Sequence, residues 1–127
     1  SPYSYIDKTS FLGDGVQIMP NAVVHCYSKI GDFSILNTSS TVDHECEIGR
    51  GVNIMGGVSI AGRVKIEDYV TIGTNATIFP DTKISEGAFI GAGAVVRKDI
   101  KKNEIVVGNP AKFLKKNKHF YDLSFFN

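Results

Sequence analysis

The chain has 127 residues, 43% hydrophobic and 21% charged, with a formal net charge of +1. That length is one small domain, and 14 basic against 13 acidic side chains exclude an electrostatic nucleic-acid binder. No apolar run approaches about 18 residues, so no membrane span is predicted, and no signal peptide opens the chain. Two cysteines, Cys26 and Cys46, are too few for a disulfide framework and predict reduced thiols, as in a cytoplasmic protein.

In chain order, one repeat governs nearly everything. From Ile6, every sixth residue through Val96 is Ile, Leu or Val, without exception. Two positions before each stands a small side chain, from Ser4 and Ser10 to Ala88 and Ala94. A large and a small residue two apart point to the same side of a strand. The residue after the aliphatic is often glycine (Gly13, Gly31, Gly49, Gly73, Gly91), which predicts a corner that uses glycine's dihedral freedom. A strand and a corner every six residues predict a coil of three flat faces, 18 residues round, whose turns stack as parallel strands about 4.8 Å apart. A period of six fits neither a 3.6-residue helix nor the irregular turn spacing of a β-sandwich.

The pattern aliphatic-Gly-x-x-small-x over roughly residues 5–112, with VVGNPAK at 106–112, resembles the hexapeptide-repeat acyltransferases, which implies an all-β, left-handed parallel β-helix. The expected division is a β-helix over 1–112 and a C-terminal tail over 113–127. The aromatic tail residues, Phe113 to Phe126, are expected to cover the open end of the coil or to reach a neighbouring subunit.

Of three histidines, His119 lies in the tail and His25 follows Val24 at an outward position. His44 sits in VDHECEIG at 42–49, beside Glu45. Positions 18 apart stack, so His44 shares a column with Lys8, Cys26, Gly62, Pro80 and Lys98. Gly62, lacking a side chain, is expected to leave a gap beside the imidazole and an open amide. A general base next to a backbone donor suits acyl transfer, one taking the acceptor's proton and the other holding the oxyanion. Glu45 is placed to orient the ring.

VDHECEIG together with AGRV at 61–64 resembles the bacterial sugar acetyltransferases of the PglD and NeuD type. The resemblance implies His44 as general base, Glu45 as its assistant, and the Gly62 amide toward an acetyl thioester. It implies acetyl-CoA as donor, bound along Gly73, Gly91, Ala92 and Gly93, with Lys98, Lys101 or Lys112 toward its phosphates. The acceptor it implies is the amino group of a nucleotide-linked amino sugar in surface-glycan biosynthesis, with a sialic-acid-type hydroxyl as the alternative. Many members carry a second histidine where this chain has Asn53, which is therefore read as an acceptor contact. Asn53 and His44 lie on different faces, so a site using both sits between subunits, in keeping with the family's homotrimer. Outward Phe11, Phe33, Ile35, Tyr69, Phe79 and Phe89 are candidate subunit contacts. Relatives carry an N-terminal nucleotide-sugar-binding domain, for which the residues before Tyr5 leave no room. Other readings of the residues are a Cys26–His44 dyad, a γ-type carbonic anhydrase and a non-catalytic trimeric scaffold. No metal-ligand set of convincing spacing occurs.

Overall fold

A computed structural model describes residues 1–117 and shows a left-handed parallel β-helix. Its strands are numbered in chain order. The first sheet stacks β1 (Tyr5–Ile6), β4 (Val23–Val24), β7 (Thr41–Val42), β10 (Ser59–Ile60), β13 (Thr77–Ile78) and β16 (Val95–Val96). The second stacks β2 (Phe11–Leu12), β5 (Lys29–Ile30), β8 (Glu47–Ile48), β11 (Lys65–Ile66) and β14 (Lys83–Ile84). The third stacks β3 (Gln17–Ile18), β6 (Ile35–Leu36), β9 (Asn53–Ile54), β12 (Thr71–Ile72) and β15 (Phe89–Ile90), then β17 (Glu104–Val107). A last strand, β18 (Lys112–Lys116), turns back antiparallel on β17. It starts just before residue 113 and leaves Phe113 and Leu114 exposed in the single chain. The other tail aromatics, from Phe120 onward, lie outside the described residues.

Register is fixed at 18 residues with no insertion: Tyr5 pairs with Val23, Lys29 with Glu47, Asn53 with Thr71. The hexad aliphatics from Val24 to Val96 are buried, while Ile6, Leu12 and Ile18 are only partly covered at the open N-terminal end. The outward columns differ by face. The second sheet presents Lys29, Glu47, Lys65 and Lys83 beneath an exposed Phe11. The first presents Val23, Thr41, Ser59, Thr77 and Val95, and the third presents Ile35, Asn53, Thr71 and Phe89, none of them charged.

The corner glycines work differently from the sequence expectation. Positive φ falls on the third residue after the aliphatic, at Tyr27 (57°) or Glu45 (58°), and not on the glycine directly after it. Glycine is required there by close approach: a Cβ on Gly31 would lie 2.5 Å from the Gly49 carbonyl carbon one coil on. The coils stack backbone on backbone at that point.

Three inward serines, Ser28, Ser34 and Ser40, are buried with their hydroxyls bonded. Ser28 braces the turn that carries His44: its Oγ donates to the Asp43 carbonyl (2.8 Å) and accepts from the Cys46 amide (3.0 Å). Ser28→Ala strands both groups in the core, and is expected to destabilise the fold by about 1–3 kcal/mol, as such orphans generally do. Thermal unfolding checks this; a loss-free variant would show that the hydroxyl braces nothing.

Candidate active site

Residues 43–46 turn the chain from the first sheet into the second. His44 is held at every backbone point: its N–H donates to Asp43 Oδ1 (2.7 Å), and its carbonyl accepts from the Arg63 amide one coil on (2.9 Å). The imidazole Nδ1 lies 3.0 Å from Glu45 Oε1. A carboxylate only accepts, so in the neutral ring this pairing puts the proton on Nδ1 and leaves Nε2 with its lone pair. The His44 side chain is 37% exposed and that of Glu45 56%, so the pair is open to solvent and to a ligand.

Gly62 lies one coil on, as the column arithmetic requires, but the expected gap is not there. The ring leans over Gly62, so that a Cβ would come 2.5 Å from Nε2 and 2.7 Å from Cε1. Gly62 is consequently buried and its backbone is not the open surface expected from sequence. The glycine makes room for the imidazole itself. Its N–H has no acceptor among the described residues. The ring lies against Gly62 on the following coil, and no hydrogen bond joins it to Cys26 on the preceding one. Cys46, the inward residue of the same turn, has its thiol pushed up to about 11, chiefly by burial. Both cysteines are free.

The sequence reading passed over Asp43, Arg63 and Asp81. Glu45, Arg63 and Asp81 are 18 apart and share the positive-φ turn position. Arg63 forks onto Asp81, Nε to Oδ1 at 2.7 Å and Nη2 to Oδ2 at 3.1 Å. That hydrogen bond is the main cause holding the Asp81 carboxyl below, and the Arg63 guanidinium above, their ordinary values. The same arithmetic that stacked Gly62 on His44, applied one residue on, finds this column.

Three coils further along His44's corner, roughly 14 Å at strand spacing, Lys98 lines a concavity of about 380 Å³ with Arg97, Ile100, Pro110, Ala111 and Lys112. Arg97 was not singled out in the sequence; its guanidinium sits 5.8 Å over the Phe79 ring. Lys101 does not line this pocket. Gly73, Gly91, Ala92 and Gly93 occupy a different corner, between the third and first sheets. Gly73 and Gly91 are buried, the first because Ala92 N would lie 2.6 Å from its Cβ. Ala92 and Gly93 are exposed, with open space around Gly93. Asn53 stands on the third face, between Ile35 and Thr71, away from the His44 corner. One chain therefore brings together His44, Glu45, Gly62 and, at a distance, Lys98, but not Asn53 or the Gly73–Gly93 edge. His25 occupies a different turn position from His44, and His119 lies outside the described residues. No helix among the described residues is long and apolar enough to cross a membrane.

Residues 45–80 match the family profile described as bacterial transferase hexapeptide (six repeats). No curated protein matches the chain. Among solved structures, the chain is similar to the acetyltransferase domain of PglB from Neisseria gonorrhoeae, also solved with acetyl coenzyme A, at 37% identity and a TM-score of 0.88 over 89% of this chain. It is similar to PerB from Caulobacter crescentus, solved with CoA and GDP-perosamine, at 31% identity and a TM-score of 0.89 over 90% of this chain. The chain spans 55% of the length of each of these two. The N-acyltransferase AntD from Bacillus cereus, at 21% identity and a TM-score of 0.87, shares the fold over 93% of this chain and 79% of its own.

The fit between ring and glycine generates a test. The φ of Gly62 lies outside the left-handed region, so alanine is conformationally allowed there, and the three atoms nearest its methyl all belong to the imidazole. Gly62→Ala is expected to fold normally but to displace His44, lowering any His44-dependent activity at least about tenfold, or about 1.4 kcal/mol. Gly56→Ala, whose Cβ meets nothing closer than 3.4 Å, is the comparison and should be neutral. Equal activities in the two variants would show that the ring's seat on Gly62 is immaterial.

Proposed function

We propose that the chain is the acetyl-transferring β-helix of an acetyl-CoA-dependent N-acetyltransferase acting on the amino group of a nucleotide-linked amino sugar. The observation that carries this reading is His44, its Nδ1 engaged by Glu45 and its Nε2 left as a base above Gly62. The likeness to PglB and PerB supports the donor and acceptor class. Acetyl-CoA and nucleotide sugars are cytoplasmic metabolites, so the reaction is assigned to the cytoplasm, in surface-glycan assembly.

The neutral acceptor amine attacks the thioester carbonyl carbon, forming the C–N bond. Its proton passes to His44 Nε2, and Glu45 stabilises the resulting imidazolium through Nδ1–H. The C–S bond breaks and the CoA thiolate leaves, taking up the proton from the imidazolium. Gly62, buried beneath the ring, serves this step by seating the imidazole. Arg97, Lys98 and Lys112 are assigned to the donor's phosphates, their pocket lying at a distance along the corner that a pantetheine arm spans.

Gly73, Gly91, Ala92 and Gly93 on the opposite edge of the first sheet are assigned to the donor's other flank, contributed by a neighbouring subunit, and Asn53 to the acceptor. The outward columns of the first sheet and of the third as far as Phe89, which carry no charge, support a homotrimer, since they can be buried between copies while the Lys/Glu face and the lysines of β18 stay wet. Light scattering at micromolar concentration should give three times the chain mass of 13.8 kDa; a monomer would overturn the shared site.

His44→Ala is expected to lower kcat by roughly 10²–10⁴ with little change in thermal stability, the usual worth of a positioned base. CoA release with a panel of nucleotide amino sugars measures it. Activity within threefold of the parent would remove His44 from the chemistry, and acetyl-CoA binding without any transfer would favour a scaffold.

A further inference from the structure

Glu45, Arg63 and Asp81 stand one coil apart in a single column, all with left-handed backbone. Arg63 therefore has a carboxylate on each side along the coil axis. An arginine fork is a stronger partner for a carboxylate than one neutral imidazole N–H is. Left to choose, Glu45 would be taken by Arg63 and His44 would lose its partner. The structure shows the opposite arrangement: Arg63 forks onto Asp81 with both carboxylate oxygens engaged, and Glu45 Oε1 sits on His44 Nδ1.

We propose that Asp81 is a positioning residue which retains the Arg63 guanidinium and so reserves Glu45 for His44. This rests on the reading of His44 as the general base. Asp81 also interacts with His44 through its charge, a direct effect that the Arg63→Gln background separates from the one through Glu45. Asp43 Oδ1 is occupied by the His44 amide, Cys46 points inward, and no hydrogen bond joins Cys26 to the ring.

The arrangement predicts a tautomer that can be read without turnover. Nitrogen-15 shifts of the His44 ring in histidine-labelled protein should show the neutral Nδ1–H form in the parent. Asp81→Asn keeps a residue well suited to positive φ, so the turn survives. It frees Arg63 to capture Glu45, and the ring should shift toward Nε2–H. Adding Arg63→Gln removes the competitor and should restore Nδ1–H; Asp81→Glu, which keeps the carboxylate, should never lose it.

Kinetics give an independent arm. Glu45→Gln should cost at least about threefold in kcat in the parent, the size expected of coupled neighbours. It should cost little in the Asp81→Asn background, and about threefold again once Arg63→Gln is added. An unchanged tautomer in Asp81→Asn, or an equal cost of Glu45→Gln in all three backgrounds, would overturn the proposal. Should no substrate be turned over at all, the proposed function fails, while the nitrogen shifts still decide who holds Glu45.

Discussion

The uninterrupted 18-residue coil is the constraint from which everything else follows. Parallel hydrogen bonds from Tyr5 to Val96 set each residue on the one 18 before it, with no inserted loop to break the count. Three kinds of column result. Inward columns form the core, face columns are charged on one side and uncharged on two, and corner columns carry every polar cluster that bears on the candidate site. A residue inserted between 44 and 62 would separate His44 from Gly62, and one inserted between 63 and 81 would separate Arg63 from Asp81.

The corners are not chemically equivalent. Each requires a left-handed residue at the same hexad position, a conformation that costs an L-residue roughly 1–2 kcal/mol. Two corners relieve that cost in part with glycine, at Gly15, Gly51 and Gly87 beside Phe33 and Tyr69, or at Gly57 and Gly93 beside Asn21, Ser39 and Asn75. The corner of His44 uses none: it holds Tyr27, Glu45, Arg63 and Asp81 there. At this corner every left-handed residue keeps a side chain, and three of the four form the Glu45–Arg63–Asp81 column.

Much of this was legible in the sequence because a period of six leaves few alternatives. The faces, the buried aliphatics and the stacking of Gly62 on His44 all follow from counting. What counting cannot supply is which way a side chain leans. It shows Gly62 under His44 but not that the ring fills the space over it, and it shows Gly31 at a corner but not that backbone approach, rather than dihedral freedom, demands glycine. The same limit applies to Phe33 and Tyr69, whose intrachain contacts counting does not reveal. Their rings fold over Gly15 and Gly51 within the chain, with Phe33 also lying 5.9 Å from the Arg50 guanidinium. The Arg63–Asp81 fork was within reach of the column argument, but its consequence needs the observed choice of partner.

The direction of that lean has its own logic. His44 has a neighbour in its column on either side, Cys26 before and Gly62 after. Only Gly62 lacks a Cβ, so only there can a planar ring lie against the backbone. The sequence thereby aims Nε2 toward the C-terminal coils, where Arg97, Lys98 and Lys112 converge. Glu45, bonding the opposite nitrogen, holds it there. Under the proposed reading, the donor's phosphates and the base thus lie along one corner in a fixed order. The acyl group arrives from the side the imidazole faces, and one missing methyl group sets that polarity.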